Sequence, residues 1–270
     1  MAKADIGIIG GSGFYSLLED AEAVAVPTPF GAPSGEPTVG LLAGRRVAFL
    51  PRHGVDHRFA PHVVPYRANL WALRALGARQ VVALSAVGSL RAEHGAGTLV
   101  VADQIIDRTH GRAATFVADG AGVTHVPFAD PYCPVGRAAA VAGAAALGLP
   151  VVDEATMVVI NGPRFSTRAE SRAWQRDGGT IVGMTGMPEA VLARELELCY
   201  TALSLVTDLD AGVEAGEGVT HGEVLEQFAA NLPRLRELLV ATVERLPAAP
   251  GEVCGCGDLY AQAPAPFELP

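Results

Sequence analysis

The sequence predicts an α/β fold, a sheet covered by helices within a single domain. Two observations carry that reading. Apolar, β-rich runs alternate with helical segments from one end of the chain to the other, and no low-complexity linker or internal repeat interrupts them. Hydrophobic residues make up 50% of the 270, enough to fill a sizeable core. The expected domain spans residues 1–247, followed by a Pro/Ala/Gly-rich tail over 248–270 with little order of its own, draped over the surface or a neighbouring subunit.

The elements follow in order. Strands are expected at 6–9, 46–50, 80–84, 98–106, 157–160, 180–184 and 200–206, where β-branched and aliphatic residues run between turn signals. Helices are expected at 67–76, 137–146, 167–176, 188–196 and 220–246. Thr167-Arg168-Ala169-Glu170 and Thr220-His221-Gly222-Glu223 each fit a capping box, with Glu three residues after the cap. Pro188-Glu189 puts proline at a helical N1 position and an acid in the first turn. The last helix carries Val224, Leu225, Phe228, Leu232, Leu235, Leu239, Val243 and Leu246 on one stripe, and Pro233 should kink or split it.

Bulk properties narrow the function. The formal charge of −9 argues against nucleic acid as a partner. No apolar run reaches the length of a membrane span, and MAKADIGIIGG enters a strand-like run without a signal-peptide pattern. A cytoplasmic protein is expected. Lys3 is the sole lysine, so bound anions must be met by Arg, His or backbone N–H groups. The cysteines Cys133, Cys199, Cys254 and Cys256 are too scattered for a secreted disulfide framework.

Four strand ends offer anion donors. Gly10-Gly11-Ser12-Gly13 follows the first strand but lacks the spacing of a dinucleotide or P-loop motif, and an anion cradle and an ordinary tight turn fit it equally. Arg52-His53 follows the second, where a planar fork of donors suits an oxyanion. His57 and His62 lie close behind, but no acid or thiolate pattern completes a metal site, and no metal is expected. Ser85-Ala86-Val87-Gly88-Ser89 and Met184-Thr185-Gly186 end two more strands. Together these turns point to one anion site at a sheet edge. Asp208 and Asp210 emerge from a buried strand, which would raise their pKa values. On that segment alone, an Asx-type turn before Gly212 is the stronger reading.

Read together, these residues resemble the methylthioadenosine phosphorylase branch of the trimeric purine nucleoside phosphorylases. The resemblance rests on ordered segments covering most of the chain: IIGGSGFY (8–15), TPFGAPS (28–34), LPRHG (50–54), YRANLWALRALG (66–77), AVGSL (86–90), DQIIDRT (103–109), FADPYCP (128–134), GPRFSTRAES (162–171), MTGMPEAVLARELELCY (184–200) and VTDLDAG (206–212). It implies the nucleoside phosphorylase fold, with a central mixed sheet, and a homotrimer acting on a nucleoside and inorganic phosphate without a cofactor. Phosphate would be held by Ser12, Arg52, His53, Ser85, the N–H of Ala86 and Thr185. Met184 would lie under the ribose and Phe165 would stack on the purine. Asp208 and Asp210 would bind N7 and the 6-amino group, with Asp208 as the proton donor to the leaving base.

The same resemblance addresses specificity. The 6-oxopurine enzymes have Asn at the position of Asp208 and Glu at that of Ser166, so Asp and Ser favour adenine. His57 and His125 would sit near the 5′ end, His125 reaching in from a neighbouring subunit. His221 stands where many members of the branch have an apolar residue. It either packs beside Val224 and Leu225 or donates to a 5′-hydroxyl, which would relax strict methylthio selectivity. The alternative to a methylthioadenosine enzyme is a broader adenosine or 5′-modified adenosine phosphorylase, or a methylthioinosine phosphorylase. Cys254-Gly255-Cys256 matches a C-x-C of some members. Two cysteines alone make no zinc site, and a local disulfide or idle thiols are expected.

Overall fold

The computed structural model describes residues 3–11, 17–122, 124–213, 218–250, 254–261 and 264–270. Nine strands build one mixed sheet: β1 (Ile6–Gly10), β2 (Glu19–Ala23), β3 (Thr38–Leu42), β4 (Arg45–Pro51), β5 (Gln80–Ser89), β6 (Leu99–Arg108), β7 (Val151–Ile160), β8 (Ile181–Gly183) and β9 (Cys199–Leu209). Their order is β2-β3-β4-β1-β5-β8-β7-β6-β9. Because β9 also pairs with β5, the last five strands of that order close on themselves, and the other four extend as an open sheet.

Alternation along the strands explains the layers. Ile9, Ala48 and Val81 point to one face, where α1 (Tyr66–Ala75) and α4 (Gly186–Glu195) bury Leu70, Leu73, Ala190 and Leu192. Ile8, Val47 and Val82 point to the other, against Ala140 and Ala144 of α2 (Pro134–Leu147) and Leu235, Leu239 and Val243 of α5 (His221–Arg245). One-residue steps along a strand thus separate two cores. The remaining helix, α3 (Arg168–Arg176), opens on the predicted capping box at Thr167, and α5 on that at Thr220.

Several expectations need correction. β2 and β3 were not predicted: β2 reads EDAEA and is exposed throughout, so it shows no apolar alternation. β5 does not stop at Leu84 but runs through Ser85 to Ser89, with a register shift between Val87 and Gly88 opposite β9. Pro233 does not split α5. Pro233 and Ala229 are both exposed, so the Ala229 carbonyl that loses its partner faces water. The apolar stripe of α5 is buried only from Leu235 onward, whereas Leu225 is 54% exposed.

The tail has no helix or strand among its described residues beyond a 3₁₀ turn at Gly255–Gly257. Neighbours hold it in place. Tyr260 Oη donates to the Glu195 carbonyl at 2.9 Å, and Phe267 packs against Trp71 and Phe116. Cys254 and Cys256 do not stand apart from the other two cysteines; all four are free thiols drawn together at one point.

Candidate active site

β1, β4, β5 and β9 run parallel, so their carboxyl ends open toward one side. A cleft of about 530 Å³ lies there, a size suited to a small molecule. Arg52, His53, His57, Ser85, Ala86, Phe165, Ser166, Met184, Thr185, Asp208, Asp210 and His221 all line it. Met184 and Thr185 arrive from the opposite direction, because β8 pairs antiparallel with the far end of β5. Ser12 lies outside the described residues. His125 is exposed and does not line the cleft of its own chain.

One end of the cleft is cationic and already paired. Arg52 Nε and Nη2 donate to both oxygens of Glu189 at 2.8 and 2.9 Å, and Nη1 donates to the Leu84 carbonyl at 2.7 Å. Both side chains are buried, at 4% and 0% exposure. Tyr200 Oη donates to Glu189 as well, at 2.8 Å. Burial would weaken the guanidinium's hold on its proton, but the Glu189 carboxylate outweighs that and keeps Arg52 charged. Three of about five guanidinium donors are thus committed to protein, and the remaining two are left for a ligand.

Glu189 was read from sequence only as a first-turn acid of α4. Its isolation in the apolar run MTGMPEAVLA was the signal that it had a buried partner.

The neighbours of Arg52 are neutral donors. Thr185 precedes α4, whose regular turns begin after the extended Met187, and its side chain caps no backbone N–H, which leaves the hydroxyl for another acceptor. Ser85 Oγ lies 3.0 Å from Ser204 Oγ. His53 Nδ1 is 2.8 Å from the Phe59 carbonyl, and its ring stacks on His57 at 5.2 Å. Burial, then the Arg52 charge, lower its pKa to about 4. The ring is therefore neutral at pH 7, donates through Nδ1 and turns an acceptor Nε2 to a ligand.

The other end is acidic, and no cation among the described residues pairs with it. Burial raises the pKa of Asp208, and Asp210 adds to it, against a 2.8 Å bond donated by Thr207 Oγ1. Burial also raises that of Asp210, against the nearby hydroxyls of Ser171 and Ser166. Asp210 Oδ2 and Ser166 Oγ nevertheless lack a partner of good hydrogen-bond geometry while buried. Buried polar atoms of this kind usually await a ligand or water. Gly88 makes room here, since a Cβ would meet Asp208 Oδ1 at 2.9 Å.

Met184 and Phe165 lie between the two ends. Gly162 adopts a φ of +62°, and a Cβ there would meet the Met184 sulfur at 2.6 Å, so this glycine lets the thioether settle. Behind it, Arg112 donates to the carbonyls of Met184 at 2.9 Å and Asn161 at 2.7 Å, fixing the turn; sequence reasoning missed it. His221, Val224, Leu225 and Phe228 close the cleft, which explains why the first turns of α5 are apolar without reaching the core.

Comparisons with known proteins identify the family. The family model described as "Phosphorylase superfamily" matches residues 5–244. A purine nucleoside phosphorylase of Streptomyces coelicolor is 58% identical over 94% of both chains. An S-methyl-5′-thioadenosine phosphorylase of Mycolicibacterium smegmatis is 55% identical over 98% of this chain and 99% of that one. Among solved structures, a methylthioadenosine phosphorylase from an antarctic soil metagenomic library superposes with a TM-score of 0.89 at 39% identity, covering 97% of this chain and 93% of that one. The chain belongs to the phosphorylase superfamily, within its methylthioadenosine phosphorylase branch.

Proposed function

We propose that this enzyme cleaves the N-glycosidic bond of S-methyl-5′-thioadenosine with inorganic phosphate, giving adenine and 5-methylthioribose 1-phosphate for purine and methionine salvage in the cytoplasm. The observation that carries the proposal is a single cleft with donors for an anion at one end, Arg52, His53, Ser85 and Thr185, and at the other end Asp208 and Asp210, whose pKa values burial raises. Phosphate is held by those four side chains, the Ala86 N–H and Ser12. The neutral Nε2 of His53 accepts a hydrogen bond from a protonated phosphate oxygen. Met184 lies under the ribose, and Phe165 stacks on the base.

The reaction breaks the C1′–N9 bond. Its electron pair leaves with the purine while a phosphate oxygen bonds to C1′. Positive charge on the ribose is stabilised by the phosphate below it. Protonated Asp208 donates to N7 and relieves the leaving group, and Asp210 accepts from the 6-amino group. Phosphate is a co-substrate, and the scheme uses no organic cofactor or catalytic metal. We read the working form as a homotrimer in which His125 of one subunit, with His57 of the next, borders the 5′ pocket.

Adenine release from methylthioadenosine, measured with and without phosphate, tests the reading. Release should depend on phosphate, with arsenate able to replace it. Equal rates in phosphate-free buffer would overturn it. Sedimentation should give a trimer, and His125→Ala should raise KM without dissociating it. A fully active monomer would remove His125 from the site.

A broader adenosine or 5′-modified adenosine phosphorylase is the second reading. His221 at the cleft favours it. So does similarity to a solved adenosine/methylthioadenosine phosphorylase from Schistosoma mansoni, 39% identical to this chain.

A further inference from the structure

Away from the cleft, four cysteines far apart in sequence meet in one place. Their sulfurs all lie within 4.8 Å of one another. Cys133 is the N-cap residue of α2 and Cys199 opens β9. The Cys133 N–H donates to the Tyr200 carbonyl at 2.8 Å and the Cys199 N–H to that of Arg79 at 2.9 Å, so these two are fixed by the sheet. Cys254 precedes the tail's 3₁₀ turn and Cys256 lies within it, and together they bring the other two sulfurs to them. Cys133, Cys199 and Cys256 are buried, and Cys254 is half-buried.

The spacing decides between chemistries. Cys254 Sγ is 3.6 Å from Cys133 Sγ and 3.3 Å from Cys199 Sγ. Four thiolates about 2.3 Å from a central zinc stand about 3.8 Å apart along each edge of the tetrahedron. One sulfur lies near two others at close to that edge length, rather than paired with a single partner. The surroundings suit an anionic cluster. Zinc with four thiolates carries two negative charges, and Arg74 and Arg79 line a cavity together with Cys199, Gly257 and Glu197. Arg74 Nη1 is buried there without a partner. The N-terminus of α2 also favours a thiolate at Cys133.

We propose that Cys133, Cys199, Cys254 and Cys256 form a structural zinc site that clamps the C-terminal tail to the phosphorylase domain. This goes against the sequence expectation, which saw a C-x-C on its own and could not see what it would meet. Binding breaks four S–H bonds, forms four Zn–S bonds and releases the protons to solvent. No oxidant is needed. Half-buried Cys254 offers the way in.

The test uses the whole chain, purified under reducing conditions without chelator and analysed for metal content and free thiols. About one zinc per chain is expected. The stripped, reduced protein offered cobalt(II) should show the charge-transfer and split visible bands of a tetrahedral thiolate site. The double variant Cys254→Ser/Cys256→Ser, which leaves the cleft untouched, should lose the ion. Its tail should be cut faster by protease, while kcat on methylthioadenosine is preserved. Three results would overturn the site: a native mass showing two disulfides, a reduced protein that takes up neither zinc nor cobalt(II), or zinc retained by the double variant. The wild-type cobalt spectrum needs no variant to fold.

Discussion

The two ends of the cleft solve opposite electrostatic problems. At the anion end, Arg52 meets Glu189 in a fully buried, two-pronged pair, so its charge is compensated before any ligand arrives. At the base end, no cation among the described residues pairs with Asp208 or Asp210, and burial drives both toward the protonated form. The difference teaches where catalysis keeps its flexibility. A permanent counter-ion locks the first end in one charge state. Without one, the second end can hold a proton and give it up.

The largest expected effect breaks the first end. Glu189→Ala leaves a buried guanidinium without its carboxylate, and removing one partner of such a pair costs about 3–5 kcal/mol of stability. Chemical denaturation should show that loss, together with a weakened affinity for phosphate. A loss below about 1 kcal/mol, the value of a surface pair, would mean that water reaches Arg52 and that the anion end is not preset.

Next comes the second end. Asp208→Asn removes the transferable proton without changing shape, and should lower kcat/KM on methylthioadenosine roughly 10²–10³-fold. Methylthioinosine should suffer less, because Asn can donate where a 6-oxopurine needs a donor. Parallel assays of the two substrates measure this. An unchanged preference would show that the base is read elsewhere.

Much of this contrast was visible in the sequence. The capping boxes at Thr167 and Thr220 form as expected, because each is set by local chain chemistry, and Arg52, His53, Ser85, Ala86, Thr185, Asp208 and Asp210 share one cleft. What was hidden depends on partners distant in sequence. Glu189 and Arg52 are separated by 137 positions, and nothing near either one announces the other. The extension of β5 past Leu84 is fixed by pairing with β8 and β9 rather than by its own residues. The cysteine cluster was missed for the same reason, since Cys133 and Cys254 are 121 positions apart.

A third prediction sharpens the anion end through pH. The His53 pKa falls from 6.5 in the unfolded chain to about 4 in the folded one. Between those values the unfolded state binds more protons, so this group's contribution to stability is full above pH 6.5 and is lost as pH falls toward 4. His53→Gln should flatten that acid limb in a plot of Tm against pH. A limb unchanged by the substitution would assign it to other groups.

The smallest effect concerns the wall that joins the two ends. His221 begins α5 at the cleft, is exposed, and stands beside Val224 and Leu225. An imidazole N–H donates well to a hydroxyl but poorly to a thioether, whereas an S-methyl group gains from apolar burial. His221→Val should therefore depress turnover of adenosine and spare or improve that of methylthioadenosine. One such hydrogen bond is worth about 0.5–1.5 kcal/mol, so a shift of several-fold is expected. The quantity to compare is the ratio of kcat/KM for the two substrates, which cancels general damage to the fold. Neither charged end of the cleft changes in this variant, so a moved ratio isolates the 5′ wall as a third determinant. If the ratio stays put, His221 only fills space beside Val224 and Leu225, and selectivity rests on the base end alone.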